Sequence, residues 1–226
     1  MKNLAILRHH PLFRDLPKAS IERLSSYLTL RQVRLGTTIF AKGDAGTELI
    51  AIISGRVRIS VPAEDGREAV LNIVHEGEVF GEIALLDGRL RTADAVAITD
   101  CEFMTIERCR FLPVLYEQPE AAIKLIEILC VRLRQTSEQV EDVMFLNLKA
   151  RLAKLLLRLA NQAEGPFPRK ILVTQQEMSR MIGVSREGIN KQLRSWARAK
   201  WVRLERGGIV ILKRDSLTEI VMNPNL

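Results

Sequence analysis

The chain has 226 residues, 47 % of them apolar and 27 % charged, which is ordinary globular composition with enough length to bury a sizeable core. No apolar run approaches the roughly 20 residues that span a bilayer. Arg8, His9 and His10 follow the start too closely for a secretory signal, so a cytoplasmic protein with no membrane role is expected. The net charge of +7 is unevenly held: residues 147–226 carry 16 Lys/Arg against 6 Asp/Glu, whereas residues 1–146 carry 18 against 21. A basic module joined to a near-neutral one points toward nucleic acid.

Cys101, Cys109 and Cys130 form no CxxC pair, which argues against a disulfide framework, a zinc site or an iron–sulfur cluster. They are expected to be small buried hydrophobes, and His9, His10 and His75 to be surface histidines, with no metal bound. Nothing in the chain resembles a Ser-His-Asp arrangement or a pair of pocket carboxylates, so an enzyme is not expected.

Residues 11–31 place Ile21, Leu24 and Leu28 at helical spacing, with Ser20 as a candidate N-cap. From Val33 to about Thr105 the pattern changes to short strands: TTIF, ELIAII, RVRISV, AVLNIV and AVAIT. The turn-forming clusters KGDAG, SG, AEDGRE and HEGEVFGE lie between them. Regular strand spacing with Gly-rich corners predicts a compact antiparallel roll or barrel. After Pro119 a long helix is expected over Glu120 to Leu146. Leu125, Leu129, Arg132, Thr136, Val140 and Val143 form one face, suited either to packing on its own domain or to pairing with a second copy. A further helix, Lys149 to Asn161, follows, then a loop at 163–168. The domain boundary is placed near 145–148, as a hinge without a Gly/Pro linker.

Residues 174–199 read TQQEMSRMIGVSREGINKQLRSWARA. Thr174 with Glu177 makes a capping box that opens a short helix through Ile182. Gly183-Val184-Ser185 is a tight turn, and Ser185 caps a second helix whose apolar side is Ile189, Leu193 and Trp196. This is a helix-turn-helix, in which the second helix enters the major groove. Ser185, Arg186, Glu187, Asn190, Lys191 and Arg194 are its candidate DNA contacts. Arg or Lys can donate to guanine O6/N7, and a carboxylate can accept from cytosine N4. Gly207-Gly208 between apolar runs predicts a β-hairpin wing. A helical hairpin with a solvated charge stripe is the plainer alternative, but cap, turn, apolar spacing, charge and wing all agree against it.

Residues 80–93, FGEIALLDGRLRTA, hold a Gly-Glu pair, two leucines, a Gly turn and then Arg-Thr. Taken alone, Glu82 and Arg91 also fit a surface ion pair. Together with RLRQTSEQVEDVMFLNLKARLAKLLLRLA and TQQEMSRMIGVSREGINKQL, in that order, the chain resembles the cyclic AMP receptor protein/fumarate–nitrate regulator family of bacterial transcription factors over nearly its whole length. The resemblance implies an α+β fold: an N-terminal cyclic-nucleotide-binding antiparallel β-roll (residues 1–118), a long dimerisation helix (119–146) and a C-terminal winged helix-turn-helix (147–226). It implies that Gly81, Glu82, Ile83, Ala84, Arg91 and Thr92 form a phosphate-binding cassette. There Glu82 takes the ribose 2′-hydroxyl and Arg91 the cyclic phosphate, which suits a carboxylate and a guanidinium. Arg132, Thr136 and Ser137 match positions lining the base in cyclic-AMP binders, Thr136 in its own subunit and Ser137 from the partner. Thr-Ser favours cyclic AMP, with cyclic GMP or a dual sensor as the alternative. Relatives with an N-terminal cysteine cluster or a haem are disfavoured because no Cys precedes residue 101. Implied partners are double-stranded DNA at a TGTGA-like inverted repeat, a second copy of the chain, and RNA polymerase near the 163–168 loop. Lys191 stands where the family commonly has Arg, and a Lys gives up bidentate geometry at that base. From a different class, a ligand-independent DNA-binding protein would keep the cassette only as structure.

Overall fold

In the computed structural model, described for residues 7, 8, 10–63, 68–162, 168 and 170–223, the elements follow in the order α1 (Lys18–Ser25), β1 (Thr29–Val33), β2 (Thr38–Phe40), β3 (Glu48–Ser54), β4 (Val57–Pro62), β5 (Glu68–Val74), β6 (Val79–Phe80), α2 (Glu82–Asp87), β7 (Asp94–Ala97), β8 (Cys101–Glu107), α3 (Arg108–Glu117), α4 (Pro119–Phe145), α5 (Leu148–Gln162), β9 (Lys170–Ile171), α6 (Gln175–Ile182), α7 (Arg186–Arg198), β10 (Val202–Glu205), β11 (Gly208–Ile211) and α8 (Arg214–Met222). Backbone contacts divide the chain into two units, Met1–Gly66 with Val70–Leu133, and Arg67–Ala69 with Arg134–Leu226.

The strands before residue 108 form two four-stranded sheets, ordered β1-β8-β3-β6 and β2-β7-β4-β5, the antiparallel roll expected from strand spacing. β8 is an interior strand, pairing β1 from Thr29↔Thr105 to Val33↔Cys101 and β3 from Glu48↔Glu107 onward. Alternate residues of β3 and β8 feed two different cores. Ile50, Ile52, Cys101 and Phe103 meet Val57, Val74, Ala95 and Ala97 of the second sheet. Leu49, Ala51, Met104 and Ile106 face the helical side, where they join Leu24 of α1, Phe111 and Val114 of α3, and Ala121 and Leu125 of α4. A strand covered on both faces loses its alternation, because each face must be apolar. Leu85 of α2 belongs to the same helical core, so the segment after β6 is packed directly against the helices.

In the second unit α5 is the central element. Leu152, Leu155 and Leu156 pack with Met178 of α6, Ile189, Leu193 and Trp196 of α7, Val202 and Ile209 of the hairpin, and Leu217 of α8. Burying each such side chain contributes about 1.5–3 kcal/mol, so the core fixes the two helices of the predicted motif firmly. β10 and β11 pair antiparallel around Gly207, and β9 adds a third strand.

Several expectations are corrected. α1 starts at Lys18 after Pro17, with no side-chain cap, and Ser20 is buried inside the helix rather than capping it. Residues 29–31 are strand, because pairing to β8 outweighs their helical spacing. The FGEIALLDG stretch contains a short helix, α2. His10 is buried and not a surface histidine, while His75 is exposed. Only Cys101 is buried; Cys109 and Cys130 are exposed. His9, positions 64–67 of the AEDGRE turn and loop positions 163–167 lie outside the described residues. No helix among the described residues is long and apolar enough to cross a membrane, and none of their His, Cys, Asp and Glu side chains group to hold a metal.

Candidate functional site

The first candidate site grows from the end of β6. Phe80 is buried in the roll, and Gly81 turns the chain with φ +81°, a left-handed conformation that strains any residue carrying a Cβ. A Cβ there would also run into Nη1 of Arg91. The turn releases α2, which ends at another left-handed glycine, Gly88. Arg108 at the start of α3 closes the far end of α2, its Nε donating to the carbonyl of Leu85 at 2.6 Å and Nη2 to that of Leu86 at 3.4 Å. The last carbonyls of a helix lack partners inside it, and a cation there also suits the helix dipole.

Arg91 is only 5 % exposed, and its backbone is anchored on both sides to the 43–44 turn. Its guanidinium lies 4.2 Å from the centre of the Phe40 ring. Nη1 donates to the Gly81 carbonyl at 2.8 Å and Nη2 to the Glu48 carbonyl at 2.9 Å, while Nε is buried without a partner. Burial pulls its pKa below the usual arginine value, against the opposing attraction of Glu48, Glu82 and Asp44, and an arginine remains charged throughout. A buried cation whose hydrogen bonds go to carbonyl oxygens and whose Nε has no partner has spare N–H donors suited to an anion.

Glu82, 2 % exposed, is the first residue of α2. Its Oε1 lies 2.5 Å from Nη1 of Arg132 on α4, and Nη2 of Arg132 donates to the Val79 carbonyl. Glu82 retains acceptor capacity for hydroxyls, since a carboxylate offers about four lone-pair sites. Ala84 is buried, Ile83 half exposed and Thr92 exposed. The first unit thus brings together Gly81, Glu82, Ile83, Ala84, Arg91 and Arg132. Donors for an anion beside an acceptor for hydroxyls suit a ribose phosphate. Thr136 and Ser137 belong to the second unit and are exposed on α4.

The α4 face drawn from sequence is corrected. Leu125 is buried, Leu129 half-buried and Arg132 engaged with Glu82, so the first half of that face serves the unit's own core, whereas Thr136, Val140 and Val143 are exposed. The exposed apolar stripe is instead Ile123, Ile126, Leu133, Val140 and Met144, continued by exposed Cys130 and Ser137. Its spacing alternates three and four residues, which is the spacing of a coiled-coil seam.

The second candidate site is the helix-turn-helix. Oγ1 of Thr174 accepts from the Glu177 N–H at 3.1 Å, and the Glu177 carboxylate accepts from the Thr174 N–H at 2.7 Å, the reciprocal capping box read from sequence. Gly183 has φ +66°, and Arg151 of α5 holds the turn by donating to the Ile182 carbonyl at 3.1 Å. Oγ of Ser185 caps α7 by accepting from the Gly188 N–H at 3.1 Å. With Ile189, Leu193 and Trp196 buried, Arg186, Glu187, Lys191 and Arg194 are left exposed. Asn190 is half-buried, its Oδ1 accepting from Nε2 of Gln175 at 3.4 Å.

Sequence reasoning missed Phe40, Glu48 and Arg108 around the cassette, and Gln175 and Arg151 around the helix-turn-helix. No local spacing marks them; only the strand pairings and the packing of α5 bring them close.

Comparison with known proteins accords with this geometry. Residues 30–117 match the cyclic nucleotide-binding domain and residues 150–220 the Crp-like helix-turn-helix domain. The chain is 33 % identical over 216 residues to the CRP-like cAMP-activated global transcriptional regulator of Mycobacterium tuberculosis, covering 94 % of this chain and 96 % of the relative. It is 32 % identical to the cyclic AMP receptor protein of Thermus thermophilus, covering 95 % and 98 %. Among solved structures, the c-di-GMP responsive global regulator CLP of Xanthomonas campestris is similar with a TM-score of 0.76 and 26 % identity, over 86 % of this chain and 99 % of that one. A cyclic-nucleotide-binding roll followed by a Crp-like helix-turn-helix, in a chain this similar to such regulators along its length, makes it a member of the cyclic AMP receptor protein/fumarate–nitrate regulator family, a transcription regulator and not an enzyme.

Proposed function

We propose that the protein is a homodimeric, cyclic-AMP-responsive transcription regulator that binds a TGTGA-like inverted repeat, with nucleotide binding raising its affinity for DNA. The observation that carries the nucleotide assignment is Arg91, a buried cation with spare donors at Gly81, close to the acceptor Glu82. Arg91 takes the cyclic phosphate through charge-assisted hydrogen bonds, Glu82 takes the ribose hydroxyl, and Thr92 adds a further donor. Thr136 and Ser137 are assigned to the base on the strength of their sequence motif, which also favours cyclic AMP. The three-and-four stripe on α4 supports a second copy of the chain as partner. A two-fold dimer places two recognition helices on two half-sites about one helical turn apart. Arg186, Glu187, Asn190, Lys191 and Arg194 read or hold the DNA, and contact with RNA polymerase is proposed from family membership.

Calorimetric titration with cyclic AMP, cyclic GMP and c-di-GMP tests the nucleotide reading. Cyclic AMP is expected to bind most tightly, and Arg91→Leu to lower its affinity at least 100-fold by leaving a phosphate without its partner, about 3 kcal/mol or more. Tighter binding of either guanine nucleotide, or undiminished binding by the Leu variant, contradicts it.

A further inference from the structure

We propose that Arg198, in the last turn of α7, is a phosphate contact that supplies DNA affinity without reading sequence. This rests on the DNA-reading role proposed above for α7. Helix periodicity sets Glu187, Lys191, Arg194 and Arg198 one above another at spacings of four, three and four, and all four are exposed. Ile189, Leu193 and Trp196 hold the opposite face in the core, which fixes the direction of the charged stripe. The candidate DNA face thus runs one turn beyond Arg194, to Arg198.

The end of the helix is held in place. The Ala199 N–H donates to the Ser195 carbonyl at 3.1 Å and the Trp201 N–H to the Trp196 carbonyl at 2.9 Å. The Trp196 and Trp201 rings stack with centroids 6.4 Å apart. Among the described residues the Arg198 guanidinium has no carboxylate or carbonyl partner, which leaves its charge and donors for a ligand.

The height of Arg198 on the helix decides what it meets. At 1.5 Å per residue its Cα lies about 18 Å along the axis from that of Arg186. The major groove is about 8.5 Å deep, and a recognition helix reads bases with its N-terminal residues. Arg198 therefore comes level with the groove wall, which is phosphate, and helical side chains lean back toward the N-terminus and so toward the duplex. A guanidinium holds phosphate oxygens through charge-assisted hydrogen bonds. A cation in a last turn also suits the helix dipole, but that role concerns stability and leaves DNA binding alone. Neutralising a phosphate instead releases counterions and steepens the salt dependence of binding, by a slope of about 0.9 in log K against log salt for each phosphate.

Fluorescence anisotropy of the full-length protein with cyclic AMP, from about 50 to 300 mM KCl, separates the two roles. Wild type, Arg198→Gln and Arg198→Lys are each measured on a TGTGA-type palindrome and on the same duplex with the half-site guanines replaced by adenines. Arg198→Gln is expected to flatten the salt slope by about 0.9 per half-site, hence about 1.8 for a two-fold dimer, and to weaken binding to both duplexes at least about tenfold at 0.1 M salt. The preference for one duplex over the other stays within about twofold of wild type. Arg198→Lys, which keeps the charge, retains the wild-type slope. An unchanged slope in the Gln variant, a preference shifted beyond that range, or a Lys variant that loses as much slope as the Gln variant overturns the proposal while base reading by Arg186 and Lys191 stands. A wild-type protein with no preference between the duplexes overturns the DNA-reading assignment itself.

Discussion

Arg91 and His10 show how differently two buried ionisable side chains can be used. Arg91 keeps its charge because carbonyl oxygens, an aromatic face and nearby carboxylates surround it. His10 gives its charge up: the Leu12 N–H donates to its Nδ1 at 3.2 Å, and burial drives its pKa from 6.5 to about 4, against an opposing backbone contact at Glu78. The folded protein therefore holds the neutral ring, and as pH falls below about 6.5 the unfolded chain takes up the proton first. Stability from this site is whole above pH 6.5, is lost progressively as pH falls to about 4, and the loss then levels off at about 3 kcal/mol. Urea denaturation of wild type and His10→Asn between pH 7.5 and 4.5 should show the steeper acid loss in wild type. Parallel pH dependence in the two proteins would contradict the buried neutral ring. Sequence allowed His10 no such role, because burial arises from the segment packing on the helical core with Phe13. Glu82 and Arg91 were legible through their motif, but Phe40 beneath the guanidinium was not.

At the scale of elements, what sequence disclosed best was whatever is decided locally. The capping box at Thr174, the left-handed turn at Gly183, the Ser185 cap and the wing at Gly207-Gly208 each depend on a few adjacent residues, and each forms as read. β8 was not singled out, since both its faces are buried and CEFMTIE carries no alternation. α2 was hidden because it is short and its C-terminal end is closed by Arg108, far along the chain. One local choice runs against propensity. Lys200, following α7, has φ 59°, where the chain closes with Trp201 N–H donating to the Trp196 carbonyl at 2.9 Å. A lysine in that left-handed conformation costs about 1 kcal/mol relative to glycine. Lys200→Gly should therefore raise stability by about that amount, read as a higher denaturant midpoint with an unchanged slope. A lower midpoint would show that the lysine side chain holds this helix end by contacts outweighing the strain.

Across the whole molecule the two units share α4, which begins in the helical core of the first and ends in the second. Its exposed seam of Ile126, Leu133 and Val140 is the surface assigned to a second copy. Leu133→Glu, which would bury an unpaired carboxylate at that seam, should raise the dimer dissociation constant at least 100-fold in analytical ultracentrifugation. Unchanged sedimentation would remove α4 as the interface. Fold and family were legible at this scale because three motifs occur in one order. Sequence left the Leu125–Val143 face open between its own domain and a second copy, because apolar spacing alone cannot say which side of a helix its own domain covers. Nucleotide control of DNA binding is the central claim, and it requires that ligand favour the DNA-competent form. Fluorescence anisotropy on a TGTGA-type palindrome, with and without cyclic AMP, tests it directly. Control of this kind gives a DNA affinity about 5- to 150-fold higher with cyclic AMP, lost in Arg91→Leu. Equal affinity in the two conditions would contradict it.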